Sequence, residues 1–565
     1  MATIENTQEH VPVSWSVYKK IAFRIAFIFF ILVSIPLSGG WYKNLVSIDW
    51  SRPHYRDIYD IARYGTNVPS LFGTSGRQGG SEEGEGATAA SPKKGAKAKV
   101  AGKSSRGAEG LQDPQAAELQ QLSRKRTWYG DYASWGNALV LAVIGGLIWT
   151  LIDRKRPSYN VLYYWLTVIV RFRAAIGIIG FGYTKLFPTQ MPFPSLGLLN
   201  TDFGDFTAQK IYWLSVGIVP WYQVFGGVVE LLAGALLFFR KTATFGAILL
   251  IGALGDITFV NYAYDGGVHV YAFYFVLLGT FVIAADVPRL YNLLILERYT
   301  IPHFYYPDYS KPAYKYARIG LKGLAILIFF GVLTYTEIIN FKYDPYKQPA
   351  TAGLKTLRGN YNVTEFKING QEIPYSPLDS VRWKEATFEK WTTLTFRVNR
   401  PVLVDPSNGG GSPMRDIQRT FEIAGTAGGQ RAFHYYADTV ERVLYLQDKN
   451  ALAARTPSEG AGVIVDPKSS GKKKDNWISD AALKNIGDEN KFIHPAAWST
   501  RRDREFARPE RSVNRAKMIL KYSTIDGSRV ILTGLNENKD SIYVVLDKRD
   551  RKYVLPESTL SAGKY

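Results

Sequence analysis

Arg24, Arg171, Arg173, Glu230 and Asp256 interrupt long apolar stretches of this chain, and Lys185, Asp265 and His269 lie near the ends of such stretches. A charge inside a bilayer costs roughly 2.5–3.5 kcal/mol on insertion scales, so these residues are expected to turn inward and find partners. Arg173 and Glu230 fall near the middles of two consecutive apolar segments, and similar depth on neighbouring helices predicts that they pair. Gly226, Glu230 and Gly234 share the spacing of one helix face, and Arg173, Gly177 and Gly180 cluster in the same way. Glycines flanking a charge let a partner backbone approach closely. The pair reads equally as a ligand site and as a lock on helix register. A second set, Lys185, Asp256, Asn261 and His269, gathers toward the outer end, where Asp256 caps its helix or pairs with Lys185. The candidate ligand-binding residues are therefore Arg171, Arg173, Glu230, Lys185, Asp256 and His269.

Other chemistries are excluded by composition. The 565 residues contain no Cys, which removes disulfides, thiolate nucleophiles, iron–sulfur clusters and covalently held haem. The six histidines are isolated in sequence, so no metal motif is present, and a haem with two histidine ligands lacks its second intramembrane His. No nucleophile elbow, phosphate-binding loop, zinc-protease motif or dinucleotide fingerprint occurs. Catalytic residues stay unassigned. His434, beside Tyr435 and Tyr436, reads as ordinary sheet surface, and Asp265-Gly266-Gly267 as a turn.

These residues must be positioned by a membrane bundle. Seven apolar segments approach or reach bilayer-spanning length: Ile21–Ser38, Trp135–Ile152, Val161–Gly182, Val219–Phe239, Ala243–Tyr262, Val268–Asp286 and Gly320–Ile339. Arg154-Lys155-Arg156, Arg240-Lys241, the Arg289 to Lys322 stretch and Lys19-Lys20 would share one side, against Arg124-Lys125-Arg126 on the other. Lys and Arg favour the cytoplasmic face, which predicts an inside N-terminus and an outside tail. The net charge of +20 thus reflects membrane topology and a basic tail, with no nucleic-acid partner expected.

The chain divides as follows: 1–72, first helix and outer segment; 73–126, a Gly/Ala/Ser/Lys-rich insertion too polar to bury a core; 127–160, second helix; 161–290, a four-helix core; 291–340, a cytoplasmic loop and last helix; 341–565, a strand-rich hydrophilic domain. In the last, Tyr361–Ile368 runs into Asn369-Gly370, a strong hairpin signal. Trp391–Val398, Val440–Leu446, Met518–Ile525, Arg529–Thr533 and Ser541–Leu546 also read as strands. The expected fold is an α-helical membrane bundle plus a mainly β domain, a small barrel or sandwich.

The run Arg171-Phe-Arg173-Ala-Ala-Ile-Gly177-Ile-Ile-Gly180-Phe-Gly182-Tyr-Thr-Lys185 resembles the opening helix of DoxX-like membrane proteins. Gly227-Val-Val-Glu230-Leu-Leu-Ala-Gly234 resembles that family's second helix. The likeness covers about 130 residues; the extra spans, the insertion and the tail, loosely similar to lipocalin-like modules, depart from it. The resemblance implies a multi-pass protein of the bacterial inner membrane, associated with quinone-linked redox or envelope complexes, with other membrane subunits as partners. A quinone held by Arg171 and Arg173, with Glu230 neutralising them, is compatible with the missing cysteines. The alternative is a non-catalytic anchor presenting a periplasmic β domain. A transporter is the weakest reading, since no inverted repeat is visible.

Overall fold

The computed structural model describes residues 14–64, 132–300, 307, 309, 311–410, 415–450, 477–507 and 515–565. The insertion at 73–126 and the basic run at 124–126 lie outside these residues.

Five helices are long and apolar enough to cross a membrane: α4 (Ala133–Ile152), α5 (Asn160–Leu186), α8 (Pro220–Leu237), α9 (Ala243–Ala263) and α12 (Pro312–Tyr343). Two further crossings exist only if bent pairs count as single spans. α1 (Val17–Ser34) breaks at Ile35-Pro36 and meets α2 (Gly39–Val46) at 50°, and α10 (His269–Ile283) meets α11 (Val287–Leu294) at 77°. Pro36 ends the first expected span four residues early, because proline disfavours a helical residue before it. Proline opens both α8 and α12, where its missing N–H costs nothing. A π-helical stretch, Leu327–Val332, interrupts α12. Short helices cover one end of the bundle: α3 (Tyr55–Ala62), α6 (Leu196–Leu199) and α7 (Ala208–Gly217). The Asp265-Gly266-Gly267 turn forms as expected, with Asp265 and Gly267 at positive φ.

The tail is a closed antiparallel barrel. β1 (Gly359–Ile368), β3 (Glu385–Phe388), β4 (Thr393–Arg397), β5 (Gln430–Asp438), β6 (Val443–Asp448), β7 (Lys517–Thr524), β8 (Arg529–Leu535) and β9 (Ser541–Arg549) pair in chain order. β9 then returns to β1, from Asn360↔Arg549 to Ile368↔Ile542. The two-residue β2 (Gln371–Glu372) hangs on β1 through the Asn369-Gly370 turn, whose φ values of 50° and 80° fit a type I′ hairpin. Inward residues alternate along each strand: Leu444 and Leu446, Leu520 and Tyr522, Val530 and Leu532, Ile542, Val544 and Leu546. On β1 a bulge between Val363 and Glu365 switches the buried phase from Tyr361 and Val363 to Phe366. Stacked rings help fill the interior, with Trp383 on Phe396 at 3.9 Å and Phe396 on Phe433 at 5.4 Å. The expected strand at Val440–Leu446 begins later, because Arg442, at positive φ, belongs to the turn after β5. β3 is too short to show a period in the sequence.

Candidate functional site

The expected Arg173–Glu230 pair does not form. Glu230 accepts instead from Lys185 Nζ at 2.5 Å, and both side chains are largely buried. The reason is helix phase and depth. A methyl group on Gly227 would meet Leu186 N at 2.5 Å and Gly182 O at 2.7 Å, and one on Gly234 would meet Ile179 and Ala175. α5 therefore turns residues 175, 179, 182 and 186 toward α8. Arg173 lies two residues from 175, on the opposite flank, and about 11 Å along the axis from the level of Glu230 at 1.5 Å per residue. Side chains lean toward the N-terminus of their own helix. In this antiparallel pair Lys185 and Glu230 thus lean toward each other. Gly227, rather than Gly226, makes the close approach; at Gly226 a methyl group would meet only Lys185 Cδ, at 3.8 Å.

Arg173 faces the other way, as the grouping with Gly177 and Gly180 suggested, toward α10 and α3. Its guanidinium donates to the carbonyl oxygens of Ala62 at 2.7 Å and Tyr64 at 3.2 Å, and sits 4.0 Å from the ring of Tyr64. It clamps the segment after α3 onto the bundle. Arg24 plays the same part elsewhere, binding Tyr159 Oη, Thr150 Oγ1 and the Asp153 carbonyl. The outer set does not assemble. Lys185 is taken by Glu230 rather than Asp256, Asp256 is exposed on α9, and Asn261 bonds its own helix at Ile257 O. His269 is buried between the rings of Tyr132 and Tyr262, each 6.1 Å away. Arg171 is buried toward the far end of the bundle. Of the six candidates, only Lys185 and Glu230 meet.

The densest polar cluster lies where the bundle meets the barrel. Asp344, one residue past α12 and 1% exposed, accepts from Arg419 Nη2 at 2.6 Å and from Arg502 Nη1. Burial would raise its carboxyl, but Arg502 and Arg419 hold it well below the usual carboxylate range. Arg419 also donates to the carbonyls of Pro345 and Gln348. His54 Nε2 stands 3.8 Å from Asp344; burial pushes this imidazole down against the pull of Asp344 and Asp57. From α13 (Thr500–Ala507), Arg501 reaches Asp60 at 2.6 Å and Asp57 at 3.3 Å on α3. Asp416 caps the N–H groups of Ala350 and Thr351.

A second seam joins the barrel to the loop before α8. Glu389, 1% exposed, accepts from the N–H groups of Leu196 and Gly197 at 3.0 and 2.7 Å, at the start of α6. Burial pushes its carboxyl up to about 7. Lys210 on α7 donates to Phe421 O at 2.5 Å and is pushed down to about 7 by burial. Thr207 N–H bonds Gly425 O, and Asp205 O accepts from Ala427. Inside the barrel mouth Glu422 accepts from both Lys449, at 3.0 Å, and Trp391 Nε1, at 2.5 Å. His434 is buried there against Thr392, not on exposed sheet, and burial lowers it to about 4.

The sequence reading missed this layer. Asp344, Arg419, Arg502 and Glu389 sit in polar, unpatterned stretches where nothing marks a charge as buried. Glu337 was findable: it interrupts an apolar span and is fully buried, with Asn340 donating to it at 3.2 Å. Among the described residues no group of three or more His, Asp or Glu could hold a metal ion. No family model, curated protein or solved structure matches the chain.

Proposed function

We propose that this protein is a non-catalytic membrane subunit that holds a β-barrel rigidly against one face of the bilayer for partner proteins of a membrane or envelope complex. The carrying observation is the buried salt bridge that joins the end of the last span, at Asp344, to Arg419 of the barrel and to Arg502. A tethered domain would need only a linker; sealing charges between two bodies fixes their relative orientation. In the same reading the bundle lies in the bacterial inner membrane with the barrel periplasmic. The basic runs Arg154–Arg156 and Arg240-Lys241 stand at the bundle end opposite the barrel, which supports that sidedness. The DoxX-like resemblance of Arg171–Lys185 and Gly227–Gly234 supports an accessory role beside quinone-linked or envelope subunits.

A second reading, a small-ligand site in the helix core for a quinone or similar carbonyl compound, is favoured by one feature. Glu230 Oε2 and Glu337 Oε1 are buried oxygens without a hydrogen-bond partner, and buried polar atoms are ordinarily satisfied. Isolation of the intact protein from its native membrane in mild detergent separates the two. The subunit reading expects stoichiometric partner proteins and no bound quinone. A lone, monodisperse protein carrying extractable quinone would replace it with the ligand reading.

A further inference from the structure

Arg24, Arg173 and Glu230 turn into the bundle and are bonded there. Asp256 does the opposite. It lies on the exposed face of α9, about 10 Å below the barrel-side end at Ala263 at 1.5 Å per residue. Among the described residues no hydrogen bond or ion pair reaches it, and the group that senses its charge is a phenol, Tyr212 on α7. Phe245, Ile248, Gly252, Asp256 and Phe259 follow one another at spacings of three or four residues and are all exposed, so they form one continuous face. Between its bulky side chains lies a notch. A methyl group on Gly246 would meet Ala233 O and Leu237 N, each at 3.1 Å, because α8 packs there, whereas one on Gly252 or Gly255 would meet nothing within 4 Å.

A carboxylate facing acyl chains is costly, and charges within a span ordinarily face protein. An aspartate is too short to lift its charge to headgroup depth, as a lysine would. Small residues beside the charge are what a second helix needs to come close enough to bond it. That helix must supply the opposite charge. A second copy of this chain does not: across a two-fold axis the same face would meet itself, and α9 contains no Lys, Arg or His. We infer that this face of α9 seats a transmembrane helix of a partner subunit, with a Lys or Arg level with Asp256. The inference rests on the subunit reading above and adds where the partner docks and what it carries.

The test places the full-length protein in phosphatidylcholine vesicles and follows energy transfer from its tryptophans to a dansyl-labelled Leu/Ala transmembrane peptide. The peptide carries one Lys about 10 Å from its outer end, and matched peptides carry Leu or Glu there. The Lys peptide should bind roughly tenfold tighter than the Leu peptide. Asp256→Asn should remove that difference, and Asp256→Lys should turn the preference to the Glu peptide. Gly252→Leu, which fills the notch and keeps the carboxylate, should also weaken the Lys peptide. The peptide series on the unaltered protein stands whether or not each variant folds. Equal binding of the three peptides overturns the inference. A dimer of this chain that Asp256→Asn dissociates would assign the face to a second copy and overturn the partner helix. Either result leaves the subunit reading standing, because isolation from the native membrane detects partners on any face.

Discussion

Lys185 and Glu230 meet inside the bundle, where screening is weak and each charge depends on the other. Removing one partner strands the other. Lys185→Met alone should cost about 3–5 kcal/mol, whereas Lys185→Met with Glu230→Leu should recover most of that loss. Thermal melts of the two singles and the double in one detergent measure the coupling; additive losses would mean that the contact carries no energy. Glu389 makes a pH prediction. Its folded-state carboxyl is raised from 4.5 to about 7 by burial, so the folded protein holds a proton that the unfolded chain has released. Its contribution is fully present below pH 4.5 and is lost as pH rises through about 7, up to about 3 kcal/mol. Glu389→Gln keeps the shape and removes the titration. The Tm difference between variant and wild type should therefore grow in the variant's favour from pH 5 to 8, and a constant difference would count against a raised Glu389.

Helix packing decides which residues can meet. Gly227 is the closest point of α5 and α8, and a methyl group there would strike backbone rather than a movable side chain. Gly227→Ala should destabilise by about 1–3 kcal/mol and separate Lys185 from Glu230, while Gly226→Ala, with space around it, should change Tm little. Equal effects at the two positions would contradict the helix phase given above. Five of the seven expected spans were legible because 18 or more apolar residues have few alternatives; their ends shifted by at most four residues, except that the last helix starts eight residues early, at Pro312. Pairing between spans was not legible. Matching Arg173 to Glu230 by depth alone ignored the angle around α5, and the glycine spacing of α8 fits both 226/230/234 and 227/230/234. In the barrel, Asn369-Gly370 and the alternation at Met518–Ile525 and Ser541–Leu546 were readable, whereas the bulge on β1 hides its period.

At the scale of the whole molecule, two domains with different solvents meet across a polar seam. Asp344, Arg419 and Arg502 are separated by up to 158 positions in the chain, and no local pattern announces that they will be buried together. The sequence therefore disclosed a membrane part and a strand-rich part but not their locking. In the proposed role the barrel cannot move freely on the bundle. Because the chain has no cysteine, an introduced pair reports on this without background. Asp49, in the segment between α2 and α3, accepts from Thr500 Oγ1 at 2.6 Å, at the start of α13. With Asp49→Cys and Thr500→Cys combined in the full-length protein in membranes, mild oxidation or a short thiol linker should join the two within one chain. The yield should be near complete at any protein density, and Asp344→Asn should lower it. Failure to link while both thiols react freely with a monofunctional reagent would contradict a seated barrel.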